Sequence, residues 1–261
     1  MPENTASDYV ARFSVRGKRA LVTGASRGIG AEIATVLADA GADLALVGRS
    51  AAGLEVTRQA VINKGRRCVS IQADLSTVDG PPIAGIRALE FFGTIDILVN
   101  NAGLFQRRSI LETTVEQWDE TQATNLRAPF FLAQTVVPGM IKQRGGKIIN
   151  VSSVASISGC EGHAAYSASK AGMNNLTQVM AAEWGPFNIQ TNAIAPAIVL
   201  TDMSRKAWSD ETQSGPVKAR IPLHRFGEQA EIADLVLYLA SSASDFICGQ
   251  VVVIDGGYSA V

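Results

Sequence analysis

The chain has 261 residues, of which 47% are hydrophobic and 18% charged, with 23 Lys and Arg against 24 Asp and Glu. That length and balance give a globular chain able to bury a large core, and exclude an intrinsically disordered one. A net charge of −1 leaves no broad basic field for nucleic acid or an anionic membrane.

No apolar run reaches the roughly 18 residues of a membrane span. Residues 1–9 are polar and lack the apolar core of a signal peptide. The three cysteines, Cys68, Cys160 and Cys248, are odd in number and form no C-x-x-C, so they read as reduced thiols of a cytoplasmic protein. Cys160, Glu161 and His163 stand together, but without paired ligand spacing no metal site is expected.

Residues 1–16 read as a tail, and 17–261 as a single domain with no linker. Residues 20–23 form a short apolar strand. Gly24-Ala25-Ser26-Arg27-Gly28-Ile29-Gly30 follows, and then a helical pattern through Ile33, Val36, Leu37 and Ala40, ended by Gly41. Residues 44–47 are a second strand, 51–64 a polar helix, and 68–72 a third strand followed by Asp74. A helix with Pro81 and Pro82 in its first turn runs to Phe92. Residues 95–99 are a fourth strand, ending in Asn100-Asn101-Ala102-Gly103. A long helix covers 115–143, with Pro129 and Pro138 as the two places for a break. Then come a strand at 147–151, a helix at 164–184 and a strand at 189–194. After a weakly periodic stretch at 197–222 come a helix at 228–240 and a last strand at 251–254.

Strands and helices alternate seven times, and the strands are continuous apolar runs. This pattern predicts an α/β fold: a three-layer, doubly wound parallel sheet covered by helices on both faces, with right-handed crossovers. Ligands of such sheets sit outside the carboxyl ends of the strands. Those ends carry residues 24–30, 48–50, 74, 100–103, 152–163 and 195–201.

Tyr166 and Lys170 are four apart, so on a helix they share one face. A free tyrosine, with a pKa of about 10, is a poor base at neutral pH; a neighbouring ammonium favours the phenolate. Ser153 lies thirteen residues before Tyr166, just past a strand end that can bring its hydroxyl to the phenol. A solvated Tyr and Lys on an ordinary helix explains Y-x-x-x-K equally well until the rest of the chain is considered. The turn T-G-x-x-x-G-x-G directly after a strand and before a helix has the logic of a pyrophosphate site: a tight turn, close backbone approach and close helix packing.

Taken together, T-G-A-S-R-G-I-G, Asp74, N-N-A-G, Asn125, Ser153 and Y-S-A-S-K resemble the short-chain dehydrogenases/reductases over residues 18–257. The resemblance implies a Rossmann-like sheet of seven strands, a nicotinamide cofactor and interconversion of an alcohol and a ketone. It gives Tyr166 the proton transfer, and Lys170 the nicotinamide ribose and the lowering of the tyrosine pKa. Ser153 would orient the reacting oxygen, and Asn125 would hold a relay water. Gly24, Gly28, Ile29 and Gly30 would form the cofactor turn, Asp74 and Leu75 would meet the adenine, and Asn101, Ala102 and Gly103 would line the cofactor. Pro196, Ile198 and Thr201 would lie at the nicotinamide. Ala197 stands where the family usually has Gly, which bears on the shape of that loop. The family also implies a homotetramer, through the helices at 115 and 164, with Ala171, Gly172, Ala181 and Ala182 allowing close approach, and through residues 251–257. The stretch 197–222, with Met203 and Trp208, resembles the family's substrate lid.

The end of the second strand, Val47-Gly48-Arg49-Ser50, carries no acid to accept from a ribose 2′-OH. Arg27 and Arg49 flank that position, with Ser26 and Ser50 as further donors, which predicts NADP rather than NAD. The expected function is therefore an NADP(H)-dependent oxidoreductase on a polyol, sugar acid or hydroxy-ketone. A 3-oxoacyl-thioester reductase shares every one of these residues. A nucleotide-binding regulator without catalysis usually lacks the Tyr, Lys or Ser, and all three are present. Arg107 and Arg108 resemble Arg pairs after N-N-A-G in sugar-acid dehydrogenases and suit a carboxylate; a solvated loop is an equal reading. His163 is equally a substrate contact or a hydrogen-bonded structural residue.

Overall fold

The computed structural model describes residues 10–201, 205 and 208–261. Its apolar runs pair as seven strands: β1 (Arg19–Thr23), β2 (Asp43–Gly48), β3 (Cys68–Gln72), β4 (Ile97–Asn100), β5 (Gly146–Val151), β6 (Ile189–Pro196) and β7 (Val251–Ile254). All pairings are parallel, in the order β3-β2-β1-β4-β5-β6-β7. The chain starts at the centre and winds outward both ways, so the switch point lies between β1 and β4, where parallel α/β sheets open a crevice.

The helices are α1 (Gly28–Asp39), α2 (Ala51–Asn63), α3 (Gly80–Phe92), α4 (Val115–Gln122), α5 (Ala128–Gln143), α6 (Ala164–Trp184), α7 (Glu211–Lys218) and α8 (Gln229–Ala240). Neighbouring strand residues point to opposite faces. Val22 and Leu46 therefore join one core with Ile33, Leu37, Val236 and Leu239, while Leu21 and Val47 join the other with Ala88, Leu132, Val136 and Met140. Both cores are closed to solvent, which is why the strands read as unbroken apolar runs.

Three details differ from the sequence expectation. Residues 10–16 are no free tail: Val15 is buried, and its N–H donates to the Ala40 carbonyl at 3.1 Å. The long helix is interrupted at neither proline. The interruption is a π-helical turn, Ala123–Arg127, with Pro129 seated in the first turn of α5 and Pro138 inside it. The weakly periodic stretch holds a two-stranded ribbon, Val199–Leu200 against Gly227–Glu228, and the short helix α7. Met203 lies outside the described residues.

Candidate active site

The loops at the carboxyl ends of β1 to β4 enclose a cleft of about 840 Å³. Its floor is the glycine turn. Gly24 and Gly28 adopt left-handed backbone at φ +67° and +58°, which only glycine takes without strain. A Cβ on Gly30 would overlap the Gly24 carbonyl, so glycine is what lets α1 approach the strand. Asn101 locks this turn from beneath: its Nδ2 donates to the Thr23 carbonyl at 2.9 Å, while the Asn101 and Ala102 N–H groups both donate to Thr23 Oγ1. Arg27 precedes α1 in extended conformation and gives no side-chain cap. The uncapped first-turn N–H groups, with the positive end of the helix dipole, suit a diphosphate. The glycine cradle and this helix end together fit a dinucleotide.

Gly24, Ser26, Arg27, Gly28, Ile29, Gly30, Arg49, Ser50, Asp74, Leu75, Asn101, Ala102, Gly103 and Thr201 all line the cleft. Arg27 and Arg49 are exposed, and Ser26 lies within van der Waals reach of a Cβ built on Gly48. Ser50 Oγ accepts from the Gly53 N–H at 3.1 Å, so it caps α2 as well as lining the cleft. The Asp74 carboxyl is held below its ordinary pKa by the Ser76 N–H and hydroxyl, with a further contribution from the Arg49 charge. Pro196 closes β6, and Ile198 faces a separate cavity of about 120 Å³ beside Ile221 and Ile232; neither lines the cleft. Ala197 is not among the residues of positive φ, so this loop does not require glycine there.

A second cluster meets the cleft at Gly103. Tyr166 and Lys170 stand one turn apart on α6, with the Lys170 ammonium 5.6 Å from the tyrosine ring centroid. Lys170 is 3% exposed, and its Nζ donates to the Val151 carbonyl at 2.7 Å. Burial pushes its pKa down to about 8. The expected lowering of the tyrosine pKa is not what the structure gives: burial pushes the Tyr166 phenol up, and a hydrogen bond with Ser153 only partly opposes it. Ser153 is placed by a short helical turn, its Oγ accepting from the Ala155 N–H at 3.2 Å.

Asn125 sits in the π turn, 0% exposed. Its Oδ1 accepts from the Leu104 N–H at 2.7 Å, and its Nδ2 donates to the Leu104 carbonyl and to Ser169 Oγ. That side chain braces the loop after β4 against α6. A Cβ on Gly103 would stand 3.6 Å from Lys170 Nζ and 3.7 Å from Asn125 Oδ1, so both halves of the site converge on this residue.

Phe105 forms a wall here, its ring 5.2 Å from that of Tyr166 and 4.6 Å from that of His163. His163 Nδ1 is 2.8 Å from the Glu161 carbonyl. The loop carrying Arg107 and Arg108 runs beside residues 162 and 163, with the Arg108 N–H donating to the Gly162 carbonyl. Both arginines are exposed. Sequence reasoning missed Gly53, Ala73, Leu104, Glu120 and Thr124 of the cleft wall. Gly53 had a signal, being a glycine inside a helical pattern, and so had Leu104, directly after N-N-A-G; Glu120 and Thr124 had none, since the π turn is what brings α4 to the cleft.

The family model described as enoyl-(acyl carrier protein) reductase matches residues 24–259. The chain belongs to the short-chain dehydrogenase/reductase family. It is 41% identical over 249 residues to the 2-dehydro-3-deoxy-D-gluconate 5-dehydrogenase of Escherichia coli, covering 95% of this chain and 98% of that protein. It is 38% identical over 244 residues to a 3-oxoacyl-(acyl-carrier-protein) reductase of Staphylococcus epidermidis, covering 92% and 98%. The crystal structure of a gluconate 5-dehydrogenase from Burkholderia cenocepacia, in complex with NADP and tartrate, matches with a TM-score of 0.91 at 34% identity, covering 97% of this chain and 99% of that one.

Proposed function

We propose that this chain interconverts a ketone and a secondary alcohol with NADP(H), on a polyol, sugar acid or similar hydroxy-ketone. The observation that carries the reading is the Tyr166–Ser153–Lys170 cluster, its lysine buried and the other two half-buried, opening onto a glycine-floored cleft at Gly103. The dinucleotide, when bound, supplies or takes up the hydride. Arg27 and Arg49 would hold the 2′-phosphate, Gly24 to Gly30 the diphosphate, and Asp74 with Leu75 the adenine. Tyr166 hands a proton to the carbonyl oxygen in reduction and removes it in oxidation. A phenol held above its ordinary pKa is protonated at neutral pH and thus ready as the acid. Ser153 orients the same oxygen. Lys170, with a pKa near 8, is mostly an ammonium at pH 7 and supplies donors to the cofactor ribose. The Asn125 side chain is fully engaged, so a relay water at this residue falls to its main chain.

Residues 17–261 act in this reading as a single domain, with 197–222 as its substrate lid, and the chain works in the cytoplasm as a homotetramer. Exposed Val115, Trp118, Phe130, Phe131 and Val179 on α4 to α6, and Val253 on β7, favour the assembly. No helix of the described residues is long and apolar enough to cross a membrane. The test is NADPH oxidation against a panel of sugar-acid, polyol-derived and simple ketones and 3-oxoacyl thioesters, repeated with NADH. Activity confined to acyl thioesters would replace the substrate class. Tight NADPH binding with no turnover on any ketone would favour a regulator.

A further inference from the structure

We propose that Arg127 is a positioning residue for the base end of the dinucleotide: it anchors the loop of residues 74–80 so that the Asp74 carboxylate faces the cleft. The inference rests on the reading of the cleft as a dinucleotide site and deepens it.

The wall of the cleft at β3 is Ala73, Asp74 and Leu75, one acceptor carboxylate between apolar side chains. An adenine ring, flat and apolar with a donor amino group, matches that wall, whereas a phosphate does not. The carboxylate is aimed by Ser76, whose N–H and Oγ donate to Asp74 Oδ1 at 2.9 and 2.7 Å. What fixes Ser76 is Arg127. It is the last residue of the π turn, and its Nη2 donates to the Ser76 carbonyl.

The other hydrogen bonds of this loop run within it or into the adjoining helix α3. Thr77 Oγ1 donates to the Asp74 carbonyl at 2.9 Å and accepts from the Gly80 N–H at 3.0 Å. A Cβ on Gly80 would overlap the Asp74 carbonyl, so the main chain folds back tightly on itself. Beyond the adjoining helix α3, whose Ile83 N–H donates to the Asp79 carbonyl, the Arg127 bond is what ties residues 74–80 to another element among the described residues. The same π turn that carries Asn125 to the reacting end therefore also sets the Asp74 loop. Arg127 is half-buried, and no carboxylate among the described residues is paired with it.

The test compares dissociation constants, by titration calorimetry, for NADPH and its hypoxanthine analogue, in which the adenine amino group is replaced by oxygen. The proteins are the wild type, Arg127→Ala and Arg127→Lys, with thermal midpoints recorded alongside. The wild type should prefer NADPH. Arg127→Ala should weaken NADPH about tenfold, the low end for one charge-assisted hydrogen bond, and the analogue little, so that the preference falls towards one. Arg127→Lys, which keeps a donor, should restore most of the preference. If Arg127→Ala keeps the wild-type preference, or weakens both ligands equally, the positioning role is wrong while the dinucleotide reading stands. A wild type that binds neither ligand overturns both.

Discussion

Lys170 should lower the stability of the ligand-free protein at neutral pH, and Lys170→Met exposes the effect. Its pKa falls from 10.5 to about 8 because burial penalises the ammonium. That drop of about 2.5 in pKa corresponds, at 1.36 kcal/mol each, to about 3 kcal/mol. The sign follows from proton binding. Between pH 8 and 10.5 the unfolded chain holds the proton and the folded chain has released it, so this group's contribution to stability rises with pH across that window. Below pH 8 the full penalty is present. Methionine has similar bulk and no charge, but it forfeits the donor to Val151, which offsets about 1.5–3 kcal/mol of the gain. The net difference at pH 7 is therefore small, and the pH dependence is decisive. Urea denaturation at pH 7 and pH 10, on both proteins, should show the wild type gaining roughly 2–3 kcal/mol relative to the variant on going alkaline. A difference that stays constant, or falls with pH, would mean that Lys170 is not a desolvated ammonium in the folded state.

Tyr166→Phe should lower kcat on the order of 10²–10⁴-fold while leaving the NADPH dissociation constant nearly unchanged, because it deletes the transferred proton and little volume; retention of more than about a tenth of the activity would remove Tyr166 from the acid role. Arg49→Asp should weaken NADPH about ten- to hundredfold and improve NADH relative to it, read as kcat/KM with both cofactors; a wild type that prefers NADH would show the end of β2 to be misread. Light scattering at micromolar concentration should give the mass of four chains, and a single-chain mass would sink the assembly.

The fold was legible because two-sided burial writes itself as unbroken apolar runs. β3, α6 and β7 fall where the sequence places them, to the residue. The long helix was legible as a helix but not in its interruption. Proline lacks an N–H, so Pro129 and Pro138 drew the expected break. Pro129 follows directly on the π turn and Pro138 sits inside the helix, and neither ends it. The π turn at 123–127 has no composition signal, because its cause is tertiary: Asn125 gripping Leu104 and Ser169, and Arg127 gripping Ser76.

The same distinction separates the parts of the site. Gly24, Gly28 and Gly30 could be read because a local turn demands them and Gly103 through the N-N-A-G resemblance, whereas Gly80 is explained by a loop folding on itself. The direction of the tyrosine shift was misread for a related reason. The Tyr–Lys spacing is visible in sequence, but burial is not, and burial acts on both groups at once. It raises the phenol and lowers the ammonium, which brings the two pKa values further apart and leaves Tyr166 protonated beside a lysine that titrates near pH 8. In this arrangement, then, removal from water keeps Tyr166 in its protonated, acid form, with Ser153 as the moderating contact. A Ser153→Ala variant should therefore move the alkaline limb of the reduction rate to higher pH, because the one contact pulling the phenol down is gone; a shift to lower pH would show that Ser153 stabilises the protonated phenol instead.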